Sequence, residues 1–120
     1  MSRARRRAAH AKGHRAELAA AAVLTLKGYR ILARRYRCAA GEIDLVARRG
    51  RRYAFVEVKV RPSAEAGALA VSVQQQHRIA RAAEHWLARN AAAGDYDVSF
   101  DVVLVTPWAW PRHVAGAFRI

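Results

Sequence analysis

The chain of 120 residues is long enough for one domain with a real core. Its 53% hydrophobic and 26% charged residues exclude an intrinsically disordered chain. With 22 Lys and Arg against 9 Asp and Glu, the net charge of +13 points to a polyanionic partner, nucleic acid ahead of an anionic membrane surface.

The first twelve residues carry Arg3, Arg5, Arg6, Arg7 and Lys12 and read as a flexible basic arm. Together with Arg15 they suit contact with phosphates without sequence preference. The apolar run at 18–26 behind this arm imitates a secretory leader. Three features oppose that reading: Glu17 heads the run, no small-x-small site follows it, and so short a run cannot span a bilayer. The composition of 14–27, rich in Ala and Leu, predicts the first helix, with Gly28 as its stop. Residues 29–36 read as a first strand. The lone Cys38 excludes an internal disulfide and fits a reducing, cytoplasmic compartment.

Residues 43–47 and 53–60 alternate as strands, with the Arg- and Gly-rich 48–52 as the turn of a hairpin. Arg61-Pro62-Ser63 ends the second strand, and 62–71 reads as an Ala- and Gly-rich loop. Ser72 and Gln75 fit a capping box, and Ile79, Ala80, Ala83, Trp86 and Leu87 give the second helix its apolar stripe. Residues 90–94 end it. The run 98–105 is apolar on both faces except for Ser99 and Asp101, as in a central strand. A short last element falls near 114–118. The order αβββαβ implies an α/β protein, a mixed sheet with helices against it, in a single domain over 13–120.

The hairpin holds the unexpected residues. Glu42, Asp44 and Glu57 are a third of the acids in a strongly basic chain, and each lies in or beside an apolar strand. Alternation puts Ile43, Leu45 and Ala47 on one face of the first strand, with Glu42, Asp44 and Val46 on the other. In the second strand Phe55, Glu57 and Lys59 share a face. A two-residue Gly50-Arg51 turn would pair Arg49 with Arg52 and set Asp44 across from Glu57; a slip of one residue would separate them. Two facing carboxylates need a positive group between them. Hard oxygen ligands of this kind suit Mg²⁺ or Mn²⁺, and a nearby lysine suits neutralising charge on a phosphoryl oxygen. The competing reading is a cross-strand salt-bridge cluster of Asp44, Glu57 and Lys59.

At these residues the chain resembles a family. GEIDLVA at 41–47 and FVEVKVR at 55–61 are similar to the signature of the YraN-like family of small, uncharacterised bacterial proteins. That family is placed in the restriction-endonuclease-like PD-(D/E)xK superfamily. The resemblance covers nearly all of the chain after residue 12, including G-x-x-A-E-x-x-A at 13–20 and SFDVVLV at 99–105. It implies a nuclease-like fold, similar to archaeal Holliday-junction resolvases. It also implies a Mg²⁺- or Mn²⁺-dependent endonuclease acting on DNA rather than RNA, including branched DNA. Carried over, Asp44, Glu57 and the main-chain carbonyl of Val58 would hold the metal. Lys59 would assist the attacking water, and Glu17 would hold a second metal or a metal-bound water. The alternatives are a non-catalytic nucleic-acid-binding protein with the same fold, or an adaptor docking through its basic arm.

The chain departs from the family pattern in places. Gln75 stands where a lysine is usual, Arg35 where an asparagine is usual, and Ala16 where a glycine is common. Gln75 or Gln76 would contact a phosphate or metal water from the helix N-terminus, or else Gln75 caps the helix. Arg61 is a further phosphate contact. Asp101 would either support the site from a neighbouring strand or form a buried pair with an arginine, and the structural role is the reading preferred. His77 and His85, eight apart on the second helix, read as surface residues or phosphate contacts. Trp108 and Trp110 point the same way in an extended chain, either packed under the sheet or stacked on unpaired bases. A homodimer would suit a two-fold junction.

Overall fold

The computed structural model describes residues 3–119, with side chains from residue 13 onward. Its elements run α1 (Arg3–Leu26), β1 (Arg30–Cys38), β2 (Gly41–Arg49), β3 (Arg52–Val60), α2 (Val73–Asn90), β4 (Asp97–Val105) and β5 (Arg112–Phe118). The expected αβββαβ order is present, and the short last element is a fifth strand. The five strands form one mixed sheet in the order β1-β2-β3-β4-β5. Only β3 and β4 run parallel, joined by the α2 crossover.

The first helix begins at Arg3 rather than at His14. Ala and Arg are both strong helix formers, and Gly13 alone costs about 1 kcal/mol, too little to break a run of this length. The side chains of Arg3, Arg5, Arg6, Arg7 and Lys12 lie outside the described residues.

Each helix covers one face of the sheet. Ala20, Ala21 and Leu24 of α1 pack on Leu45, Ala47, Ala54, Val56 and Val103. Ile79, Ala82, Ala83 and Trp86 of α2 pack on Ile43, Val46, Tyr53 and Phe55. Small residues on α1 allow a close approach, while Trp86 supplies bulk on the other side, edge-on to Tyr53 and Phe55. Burying each large side chain contributes about 1.5–3 kcal/mol. Leu45 is fully buried, so truncating it to Ala would cost about 2–5 kcal/mol.

The β2–β3 hairpin closes on Gly50 and Arg51, with Arg49 opposite Arg52. Gly50 takes φ +60, the left-handed backbone required at the first central position of such a turn. The ladder then runs through Leu45↔Val56.

One expectation about β2 fails. Ile43 packs on the α2 face while Leu45 packs on the α1 face, although two residues apart in a regular strand share a face. The break lies at Asp44. In the β1–β2 register Arg34 pairs with Leu45 and Tyr36 with Ile43, and no Arg35–Asp44 pair falls between them. Arg35 sits at φ +49, a left-handed backbone, and the strand rotates there. Asparagine tolerates that backbone better than arginine does.

Candidate metal centre in the hairpin

The opening at Asp44 makes a site. Val58 directs its N–H toward β2, where the next ladder bond would form. Instead Asp44 Oδ2 accepts that N–H at 2.8 Å. A strand residue exchanges its N–H and C=O bonds with the same neighbour, so the Val58 carbonyl points into the same seam. The carboxylate of Asp44 thus replaces a strand and stays at the edge of the opening.

Glu57 comes from β3 on the α2 face, following Tyr53 and Phe55. Its carboxyl lies close enough to that of Asp44 for the charge of Asp44 to raise its pKa. Gln75, in the first turn of α2, donates from Nε2 to Glu57 Oε1 at 3.2 Å. Ser72 caps the helix as expected, accepting the Gln75 N–H at 3.1 Å. The Gln75 side chain does not complete the box; it turns to the acid. Gln76 donates instead to the carbonyl of Val71, in the loop just before α2.

Electrostatics make the pair costly. Burial, then the charge of Asp44, push Glu57 up to about 7, against the pull of Lys59 and Gln75. Burial also raises Asp44, against the Val58 hydrogen bond, and the charges of Glu17 and Glu42 add to the rise. Among the described residues no lysine, arginine or histidine lies within 4 Å of either carboxylate. Lys59 is near enough to act on Glu57 through space without forming an ion pair with it. The salt-bridge cluster allowed by spacing is therefore not formed.

Glu17 approaches from α1, on the other face. Its two carboxylate oxygens accept from Arg35 Nε at 2.8 and 3.0 Å. The same arginine that holds a left-handed backbone in β1 thus clamps this acid. Glu42 pairs at 3.3 Å with Arg37, both well exposed, and so faces solvent at the strand edge. Among the described residues no three acid, histidine or cysteine side chains gather closely enough to hold an ion unaided.

Asp101 is structural, but its partner is not an arginine. It is fully buried, and it accepts from Ser99, from the Gly116 N–H at 3.0 Å and from His113 Nε2 at 2.8 Å. Burial opposes its ionisation, yet the bonds from His113, Ser99 and Gly116 prevail and hold its pKa below the usual range. The other ring nitrogen of His113 meets Lys27 Nζ at 2.5 Å. This chain of contacts ties β5 to β4 and to the end of α1.

Two residues had no clear signal in the sequence. Arg35 was visible only as a departure from the family pattern. His113 meets Asp101 only because β5 folds back along β4. His85 is half-buried and hydrogen-bonded to the Tyr36 hydroxyl, not a plain surface residue. Trp108 and Trp110 are exposed, not packed under the sheet.

Comparison with known proteins agrees along the chain. The pattern described as "Uncharacterised protein family UPF0102" matches residues 16–105. A UPF0102 protein of Methylorubrum extorquens is 52% identical over 117 residues, covering 98% of this chain and 91% of the relative. One from Mesorhizobium japonicum is 52% identical over 115 residues, covering 96% and 92%. One from Parvibaculum lavamentivorans is 54% identical over 112 residues, covering 93% and 84%.

Proposed function

We propose that this chain, which belongs to the uncharacterised protein family UPF0102, is a metal-dependent endonuclease that hydrolyses DNA phosphodiesters. One observation carries the reading. Asp44 and Glu57 stand close enough in a half-buried seam for the charge of Asp44 to raise the pKa of Glu57, with no cation within 4 Å of either among the described residues, in a protein of net charge +13. A carboxylate pair of this kind is destabilising as it stands and is relieved by a divalent cation.

The donor set fits a hard ion. Asp44, Glu57 and the Val58 carbonyl would hold Mg²⁺ or Mn²⁺, with water filling the other positions. The ion would supply charge neutralisation at the phosphoryl oxygens and a more acidic water. The chain's own residues do the rest. Lys59, two residues past Glu57 on β3 and near enough to pull its pKa down, would offset negative charge developing on the phosphoryl oxygens. Gln75 fixes Glu57 by one oxygen and leaves the other for the ion. Glu17, held by Arg35, adds negative charge to the rim and serves a second ion or a water if that clamp opens.

The basic surface supplies the grip. Arg15, on the same helix as Glu17, and Arg61, just past Lys59, line one cleft between α1 and the ends of β3 and β4, and Arg3, Arg5, Arg6, Arg7 and Lys12 add to the charge that would hold phosphates. Phosphate contacts of this kind favour DNA binding without sequence preference and with strong salt dependence. No helix among the described residues is long and apolar enough to cross a membrane. The reducing cytoplasm is the compartment we assign on the single cysteine.

The second reading, DNA binding without cutting, is favoured by the Arg35 clamp on Glu17. Linear, flapped and four-way DNA, incubated with Mg²⁺ or Mn²⁺, separates the two. The nuclease reading expects cutting that disappears in Glu57→Ala and falls by about 100-fold or more in Lys59→Ala. Binding without cutting on every substrate would leave the second reading.

A further inference from the structure

The β4–β5 loop carries a feature that the proposed chemistry leaves unused. Its sequence is Pro107-Trp108-Ala109-Trp110-Pro111. Trp108 is 103% exposed and Trp110 80%. An indole is a large apolar surface that folding normally buries. Trp108 also holds φ +65, a left-handed backbone that a bulky residue rarely adopts. A proline on each side fixes the backbone of the loop and lowers the entropy lost when the rings are engaged.

The loop stands beside the hairpin site. In the parallel β3–β4 register Lys59 pairs with Leu104 and Val60 with Val105. The Arg61 N–H then donates to the Val105 carbonyl at 3.1 Å, so the strands stay together to their ends. Trp108 follows Leu104 by four residues, a span of at most about 14 Å along the chain. Between α1 and these strand ends lies a cleft of about 540 Å³. Ala16, Val60, Val105 and Pro107 line it with apolar surface, and Arg15 and Arg61 add two guanidinium groups.

Building on the proposal that the hairpin acts on DNA, we infer that this loop and cleft hold unpaired bases of the strand beside the cut. The substrate class is then DNA with a single-stranded segment at the site, a flap or an open junction, rather than intact duplex. The two indoles offer π-faces to bases that duplex DNA keeps stacked. Arg15 and Arg61 meet the phosphates between them. The charge of +13 gives the loop a polyanion to hold, and the aromatic faces select its unpaired part.

The test uses the whole chain and reads binding, set beside the cutting assay described above. Wild type, Glu57→Ala and the double variant Trp108→Ala/Trp110→Ala are titrated against labelled oligothymidylate, a blunt duplex of equal length and phosphatidylglycerol vesicles. Stacking is worth about 1–3 kcal/mol per base, so the double variant should bind the single strand about tenfold or more weaker. Its duplex affinity should stay within about twofold, and its melting temperature should hold because both indoles are exposed. In wild type and Glu57→Ala the single strand should quench tryptophan emission. Equal single-strand binding by wild type and double variant would overturn the inference. So would equal losses on both DNAs, or quenching by vesicles without quenching by single strands. If no protein cuts DNA yet this discrimination holds, the nuclease reading fails and the loop assignment stands. If cutting is normal and discrimination is absent, the reverse holds.

Discussion

Arg35 donates from one nitrogen, Nε, to both carboxylate oxygens of Glu17, at 2.8 and 3.0 Å, from a backbone held at φ +49. Arginine is a poor choice for a left-handed position, and asparagine a better one. The ion pair is half-buried, and Glu17 is close enough to Asp44 to raise its pKa. Arg35→Asn should therefore relax the backbone and release Glu17 toward the seam. The expected outcome is tighter Mn²⁺ binding, by about fivefold, because a third carboxylate becomes available. Isothermal titration at pH 8 checks it; unchanged affinity would show that Glu17 takes no part in ion binding.

Asp44 has two roles that substitution can separate. Its oxygen accepts the Val58 N–H, and its charge repels Glu57. Asp44→Asn keeps an acceptor and removes the charge. Asp44→Ala leaves the N–H without that partner, at a cost of about 1–3 kcal/mol. Urea unfolding at pH 8 without divalent ions should rank Asn as stable as wild type or more so, and Ala below Asn. Both variants should lose ion binding. If Asn is as damaging to stability as Ala, repulsion between the two acids is not what destabilises the seam.

The raised pKa of Glu57 makes stability depend on pH. In the unfolded chain Glu57 titrates near 4.5, and in the folded protein near 7. Between these values the folded state holds the proton and the unfolded state does not, so stability falls as pH rises. The contribution is complete below about 4.5 and lost as pH passes about 7, a change on the order of 3 kcal/mol. Glu57→Gln should flatten this part of the profile. Mg²⁺ or Mn²⁺ should restore stability above pH 7 in wild type alone. A profile equally steep in Glu57→Gln would remove Glu57 as its source.

What the sequence made legible was local. Gly50 in the turn fixed the hairpin register, because a two-residue loop beginning with glycine permits few alternatives. Ser72 marked the start of α2 for a similar reason: a cap needs only its own next turn. Strand alternation failed at Ile43, because a left-handed residue in the neighbouring strand is invisible in β2 itself. Gln75 kept its capping spacing while its side chain went to Glu57, which depends on how α2 docks on the sheet. The Asp101–His113 pair needed the β4–β5 register, which no local signal sets. The acid pair was legible since its spacing lay within one hairpin; the Glu17 clamp was not, since it joins a helix to a separate strand.

Mn²⁺ titration of wild type beside Glu57→Gln, at pH 8 and low salt, tests most directly whether Asp44 and Glu57 were brought together to hold an ion. Wild type should bind at a defined site, and Glu57→Gln should lose that binding by about 100-fold or more while folding normally. Equal binding by both proteins, or none by wild type in the presence of DNA, would contradict it.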